Sequence, residues 1–395
     1  MEINNRHLTY CTNIHAGGDW AETFDSIQEN LPALKQSVSP NKKMGLGLRL
    51  SNKASLELGE KDNLVQFKKW LDQEECYVFT MNGFPYGNFH GEPVKDKVHA
   101  PDWTTEDRVK YTQRLFGQLA FLAPANMEAG ISTSPISYKH WHSTEASKAV
   151  AFRTGARNMV RIADYLNRLE KETGRYMHLD VEPEPDGFLE NTTEVLTFYK
   201  DYLIPEALVF FKNSGKTEIE ITGLVKRYIT LCYDVCHYAL AFEEPEFTFE
   251  QMQKAGISIG KIQVSAALKI VYDDNHIDII WKTLEEFNEP VYLHQVTEEK
   301  AGKIVTYNDL PLVLDKKSPF TELRSHFHVP IFLEDYGVLK STQDQILKVL
   351  VLLQTNHVSN HLEVETYTWD VLPQALKLPL VDSIARELHW MKSRL

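Results

Sequence analysis

The chain has 395 residues, with 42 Lys and Arg against 55 Asp and Glu, a formal net charge of −13. That balance argues against a nucleic-acid binder, which needs a dense basic face, though one local Arg or Lys can still hold a small anion. Four cysteines make no disulfide framework, the first ten residues lack a secretory apolar core, and no run reaches the ~18 apolar residues of a membrane span; the expectation is a cytoplasmic protein with no membrane insertion.

Strand-like segments fall at roughly 6–15, 44–51, 76–83, 130–136, 176–183, 228–235, 259–266 and 361–367. Amphipathic helical stretches lie between them, at 20–38, 63–75, 104–122, 143–173, 191–211, 341–358 and 380–395. Thr104 with Asp107, and Thr342 with Gln345, read as helix starts. Strand followed by helix, eight times over, predicts a single α/β domain over 1–395, a (β/α)8 TIM barrel. Two insertions interrupt it. Residues 84–103 form a Gly-, Pro- and aromatic-rich lid loop after the third strand, and 291–333 carry the strand-like pieces VYLHQV, KIVTY and HFHVPIF after the seventh. Both follow strand ends and are expected over the same mouth.

Within each strand one face is polar. His7, Thr9, Cys11, Asn13 and His15 alternate with Leu8, Tyr10 and Ile14; His178, Asp180 and Glu182 alternate with Leu179 and Val181; His361, Glu363 and Glu365 alternate with Leu362 and Val364. A doubly wound sheet, covered on both faces, would be apolar throughout. A polar face on every strand predicts a polar lumen, with helices on the apolar side.

Chemistry-bearing residues gather at the late strand ends, where barrel enzymes place their sites. Glu182, Asp234 and Glu365 end three strands, and three converging carboxylates call for a cation between them. Gln263 can add a carbonyl oxygen. His237 follows Asp234 by three residues, so a helix starting there turns both toward the mouth. His326 and His328 share one face of an extended segment. Oxygen ligands suit Mg, Mn or Ca, and added imidazole admits Zn. The expected cofactor is a divalent metal, Mn, Zn or Mg. Lumen-facing His15, Arg49, Asn82 and Lys261, with His90 of the lid and His294, are the candidates to touch substrate. Arg49 reads equally as a ligand for an anion or as an ion-pair partner, and Lys261 more readily as half of a buried ion pair than as a base. Cys232 and Cys236 read as buried fillers. Gly45-x-Gly47 is too short for a dinucleotide loop.

The words LDVEPE, CYDVCH, IQVS and LEVET resemble the metal-binding strand ends of xylose-isomerase-like barrels, a group that includes sugar isomerases, epimerases, inosose dehydratases and AP endonucleases. In the epimerase branch the resemblance implies a Glu, Asp, His, Glu ligand set. Glu182, Asp234 and Glu365 match three, and Gln263 stands where the family has His. The Asp-x-x-His spacing of Asp234 and His237 matches the endonuclease branch, and His326-x-His328 stands nearest that branch's acidic-x-His pair. Across residues 7–373, the words HLTYCTNIH, GFPYGNFHG, VKDKVHAPDW, GISTSPISYK, LDVEPEPDG, CYDVCH and HFHVPIF resemble the EboE-type metabolite traffic family of bacterial ebo gene clusters. That resemblance implies a part in making or moving a small metabolite beside other ebo-cluster proteins. Three activities stay open: a sugar or cyclitol isomerase or epimerase using Glu182 and Glu365 as base and acid, a metal-dependent hydrolase of a small phosphoester, and a non-catalytic metabolite carrier.

Overall fold

The computed structural model describes residues 1–89, 93–369, 371–374 and 377–395. Eight strands stand at its centre: β1 Arg6–Tyr10, β2 Met44–Arg49, β3 Cys76–Asn82, β4 Ala129–Thr133, β5 Met177–Val181, β6 Ile229–Asp234, β7 Ile259–Val264 and β8 His361–Val364. They are hydrogen-bonded in the order β1-β8-β7-β6-β5-β4-β3-β2, every pair parallel. The ring closes between β1 and β2. Cys11 bridges to Gly47 in parallel, Thr9 Oγ1 donates to Gly45 O at 2.8 Å, and Arg49 N donates to Thr12 Oγ1 at 2.8 Å. Glycine is required at the seam: a Cβ on Gly47 would lie 1.8 Å from Glu363 Oε2 and 2.7 Å from Tyr10 O. The fold is the expected (β/α)8 TIM barrel.

The strand parity is as read. Leu46, Val78, Ile131, Leu179, Leu231, Ile262 and Leu362 are fully buried in the hydrophobic core, while Thr80, Ser132, Asp180, Lys261 and Glu363 are equally buried polar groups. Below the mouth two pairs of buried charged groups meet. Lys261 Nζ meets Glu363 at 2.6 Å, and His178 Nδ1 meets Asp180 Oδ1 at 2.6 Å. Lys261 is therefore half of a buried ion pair.

Helices cover the ring because their apolar residues recur every three or four positions. Trp20–Val38 buries Ile27, Leu31, Leu34 and Val38, and Asp19 caps it by accepting from Glu22 N at 3.0 Å. Glu145–Thr173 opens on a Thr144–Ser147 capping box and ends at Gly174, whose φ of 70° favours glycine. The cap of Glu106–Leu122 is Thr105, one residue beyond the Thr104 expected. Thr342 does precede a helix, but its hydroxyl accepts from Ala267 N at 2.8 Å and caps nothing. The helix expected over 191–211 is present and continuous, as Thr192–Phe198, a wide turn at Tyr199–Leu203 and Ile204–Phe210; Pro205 has no N–H for the regular ladder there. Among the described residues no helix is long and apolar enough to cross a membrane.

The second insertion is larger than its sequence suggests. It builds a six-stranded antiparallel sheet from Leu268–Val271, Val296–Lys300, Lys303–Tyr307, Glu322–Ser325, Asp335–Tyr336 and Leu339–Ser341. KIVTY is a strand on its edge. VYLHQV and HFHVPIF are not strands: one leads into Val296–Lys300, and the other leaves Glu322–Ser325 through a turn closed by Phe327 N to Ser325 O at 2.7 Å. The lid is fastened to this insertion by Val94 N to Val291 O at 2.9 Å and by Lys95 Nζ to Asp309 Oδ2 at 2.8 Å.

Candidate metal centre

Three carboxylates converge at the C-terminal mouth. Glu182 follows β5, Asp234 ends β6 and Glu365 follows β8; one oxygen from each lies within 4.8 Å of the others. All three are buried, at 3%, 0% and 4% exposure, so water cannot screen their repulsion.

Each has a different environment. Glu365 is held by amides: Asn13 Nδ2 donates to its Oε1 at 2.7 Å, Asn82 Nδ2 to the same oxygen at 2.8 Å, and Gln263 Nε2 to Oε2. Asp234 caps the helix Val235–Leu240. Its Oδ1 accepts from His237 N at 3.1 Å and from Ser265 Oγ at 2.7 Å, while Oδ2 has no partner. Glu182 Oε2 is likewise without one. Burial, then the charges of Glu365 and Asp234, pushes Glu182 well above the usual carboxylate range. Burial, then Asp234, pushes Glu365 up to about 8 against the pull of the Gln263 amide.

Three imidazoles border the carboxylates. The turn from β6 straight into a helix brings His237 beside Asp234, as the spacing predicted; the pair joins His328 in a second set of atoms within 4.8 Å. His237 Nδ1 donates to Pro183 O at 2.8 Å, His328 Nδ1 to Glu365 O at 2.8 Å, and His326 Nδ1 to Gln295 Oε1 at 2.9 Å. A carbonyl only accepts, so each Nδ1 carries the proton and each Nε2 presents a lone pair. Gln295 is oriented in turn by donating to Pro185 O at 3.1 Å. Burial, then His237, holds His326 well below the usual imidazole range, and burial brings His328 down to about 4. Both are neutral, the form that binds metal.

The residues fit a divalent cation. Glu182 and Asp234 share one set and Asp234 and His328 the other, and each of the three has an orphaned atom of the kind a cation satisfies. Carboxylate and imidazole together suit Mn or Zn, with Mg relying on the oxygens alone.

Other expected residues have different work. Gln263 gives its amide to Glu365 and turns its oxygen to Cys232 Sγ at 2.9 Å, so as placed it orients a ligand and offers no oxygen of its own. Asn82 also orients Glu365. Arg49 does neither thing expected of it: its guanidinium donates to Gly87 O and Gly17 O, tying the lid to the first loop. His15 Nε2 meets Tyr10 OH at 2.9 Å. His294 meets acceptors at both nitrogens, His326 O at 2.8 Å and Glu289 Oε1 at 2.6 Å, and so positions the His326 segment. Cys232 and Cys236 are buried thiols, and Cys236 lies within 4.8 Å of His326 and His328. His90 lies outside the described residues.

The cavity over the centre is also lined by Asn13, Glu184, His99 and Tyr367, for which the sequence reading proposed no role. Asn13 and Glu184 continue the polar faces of the first and fifth strands, a usable signal. His99, whose Nδ1 has no hydrogen-bond partner and whose basicity burial brings down to about 3, ends the short 3-10 helix Lys95–His99 within the lid, too short to show a period.

No family model and no curated protein matches this chain. Its structural neighbours are xylose-isomerase-like TIM barrels. The probable 3-DHS dehydratase AsbF from Bacillus anthracis is 10% identical, with a TM-score of 0.47 over 99% of this chain and 100% of that one. The IolI protein, which binds a zinc atom, is 12% identical, with a TM-score of 0.47 over 98% and 97%. A xylose isomerase-like barrel from Mycobacterium smegmatis, in complex with magnesium, is 9% identical, with a TM-score of 0.47 over 91% and 86%. Likeness at this level defines no activity.

Proposed function

We propose that this chain is a divalent-metal enzyme that moves a proton beside a carbonyl in a small polyhydroxylated metabolite, a sugar or cyclitol, and so isomerises or epimerises it. The observation that carries the reading is the convergence of Glu182, Asp234 and Glu365, one oxygen of each within 4.8 Å of the others, with His237 and His328 brought to Asp234 in a second such set.

Glu182, Asp234 and Glu365, with His237 and His328, would hold the cation. Once bound, it supplies charge compensation and polarises a substrate carbonyl. Glu182 takes the proton from the adjacent carbon through its uncommitted Oε2. Glu365, fixed by Asn13, Asn82 and Gln263, returns a proton on the other side. The lid and the inserted sheet, joined by Lys95 and Asp309, exclude water while the carbanion-like species exists.

The same proposal makes the chain an EboE-type metabolite traffic protein of the cytoplasm, with ebo-cluster proteins as partners. Its support is the run of sequence words from HLTYCTNIH to HFHVPIF. A second reading, hydrolysis of a small phosphoester by two cations, is favoured by one observation: the Nε2 atoms of His237 and His326 face each other at 3.1 Å, beyond the carboxylate set.

The test is proton exchange. Metal-reconstituted protein is incubated with aldoses, ketoses and inososes in deuterated water, and label beside the carbonyl is followed by NMR. Labelling of one class, slowed at least ~100-fold by Glu182→Gln, is expected. No labelling of any class, with cleavage of p-nitrophenyl phosphate by the same sample, would replace this reading with the hydrolytic one.

A further inference from the structure

The cavity over the candidate centre has two chemically different walls. Its floor is the set of carboxylates, amides and imidazoles just described. The facing wall is apolar, made by Phe84, Phe89, Val94, Val98, Tyr292 and Tyr367. These residues come from three separate stretches of chain: the lid after β3, the insertion after β7, and the segment after β8.

The rings form one continuous surface. Phe89 meets Tyr292 at 5.4 Å between centroids and Tyr367 at 5.2 Å, and Tyr292 meets Tyr367 at 5.0 Å. Tyr367 lies 4.6 Å from the His328 ring, so the aromatic wall begins at a candidate metal ligand and runs outward. Phe89, Val94 and Tyr292 form a small buried cluster under the lid, with Val98 and Tyr367 packed against it, and the same residues line the cavity. A small, fully hydroxylated ligand has no surface to match so much apolar lining.

The described side chains give a phosphate little to hold. Among the described lining residues Lys95 is the only Lys or Arg, and it is paired to Asp309 at 2.8 Å. Arg49 lies behind the wall, 5.9 Å from the Phe89 ring, with its guanidinium given to the carbonyls of Gly87 and Gly17.

We propose that the metabolite is amphipathic and uncharged, with an oxygen-bearing head for the floor and an apolar ring or chain for the aromatic wall. The head rests on the metal-enzyme reading above; the apolar half rests on the wall alone.

The experiment is calorimetric titration of the metal-reconstituted full chain with three probes: myo-inositol, its monobenzyl ether and myo-inositol 1-phosphate. The ether is expected to bind about 10–100-fold more tightly than inositol, as burial of one ring provides, and the phosphate most weakly. Tyr292→Ala and, as a milder change, Val98→Thr each bring the ratio of ether to inositol affinity toward one. Equal affinity for ether and inositol, tightest binding of the phosphate, or no binding of the ether at millimolar concentration each overturns the proposal and leaves the metal reading standing. A parent protein that holds no metal overturns the metal reading instead; ether binding that Tyr292→Ala removes would then still support the apolar wall.

Discussion

His237 and His326 face each other Nε2 to Nε2 at 3.1 Å, each with its Nδ1 proton already donated to a carbonyl. Two lone pairs at that distance repel unless a proton or a cation lies between them. Both rings are buried, at 4% exposure, so water cannot relieve the contact. A proton on His326 would have to be stabilised against burial and against its imidazole neighbours, whereas a metal can accept both lone pairs. The proton is thus the weaker answer to this geometry.

The first prediction concerns Ser265, which orients a ligand by donating to Asp234 Oδ1 at 2.7 Å. Ser265→Ala is expected to weaken metal binding about 10-fold, within the range usual for groups that orient a ligand, and His328→Ala to weaken it further. Competition against a chromogenic chelator measures both.

At the barrel seam, Gly47→Ala is expected to cost at least ~2 kcal/mol, because its Cβ would meet Glu363 and the backbone oxygen of Tyr10, and backbone cannot swing aside. Urea denaturation gives the value. An unchanged midpoint would show that the seam is looser than described.

Lys261 and Glu363 are both fully buried and 2.6 Å apart. Lys261→Met strands the carboxylate and is expected to destabilise the fold by about 3–5 kcal/mol. The double variant Lys261→Met, Glu363→Leu should recover much of that loss, because an apolar pair has no charge left to solvate. Denaturation of the three proteins side by side checks the cycle.

Glu387 gives the pH dependence. It is buried on the C-terminal helix, accepts from Thr366 Oγ1 at 2.7 Å and from Ile331 N at 3.1 Å, and burial pushes it from 4.5 up to about 8. The folded chain then holds this proton more tightly than the unfolded chain. Its contribution is fully present below about pH 4.5 and is lost as the pH rises through about 8. Glu387→Gln keeps an acceptor oxygen without the titration. Its melting temperature is expected to fall less than the parent's between those two pH values.

The barrel was legible because strand parity is strict. All eight strands lie where alternation put them, and Glu182, Asp234 and Glu365 meet because residues at equivalent strand ends meet in any closed parallel ring. His237 was legible through the Asp cap that turns its helix. What escaped depends on paths without a period. The extent of the inserted sheet is set by pairing between segments far apart in sequence, such as Ser325 with Leu268. The place of His99 over the cavity follows from the course of the lid. The part played by Gln263 is decided across strands, where Cys232 takes its oxygen and leaves the amide to Glu365. The wide turn at 199–203 was written in Pro205, and helical periodicity running through it hid the change of pitch.

The central claim is that the mouth of this barrel holds a divalent cation on Glu182, Asp234 and Glu365 with imidazole help. Elemental analysis of the tag-free protein, purified and then reconstituted with Mn or Zn, tests it directly beside the Glu182→Gln, Glu365→Gln double variant. The account predicts at least one tightly held divalent ion per chain in the parent and its loss in the variant. A parent that holds no ion after reconstitution, or a double variant that holds as much as the parent, would contradict it.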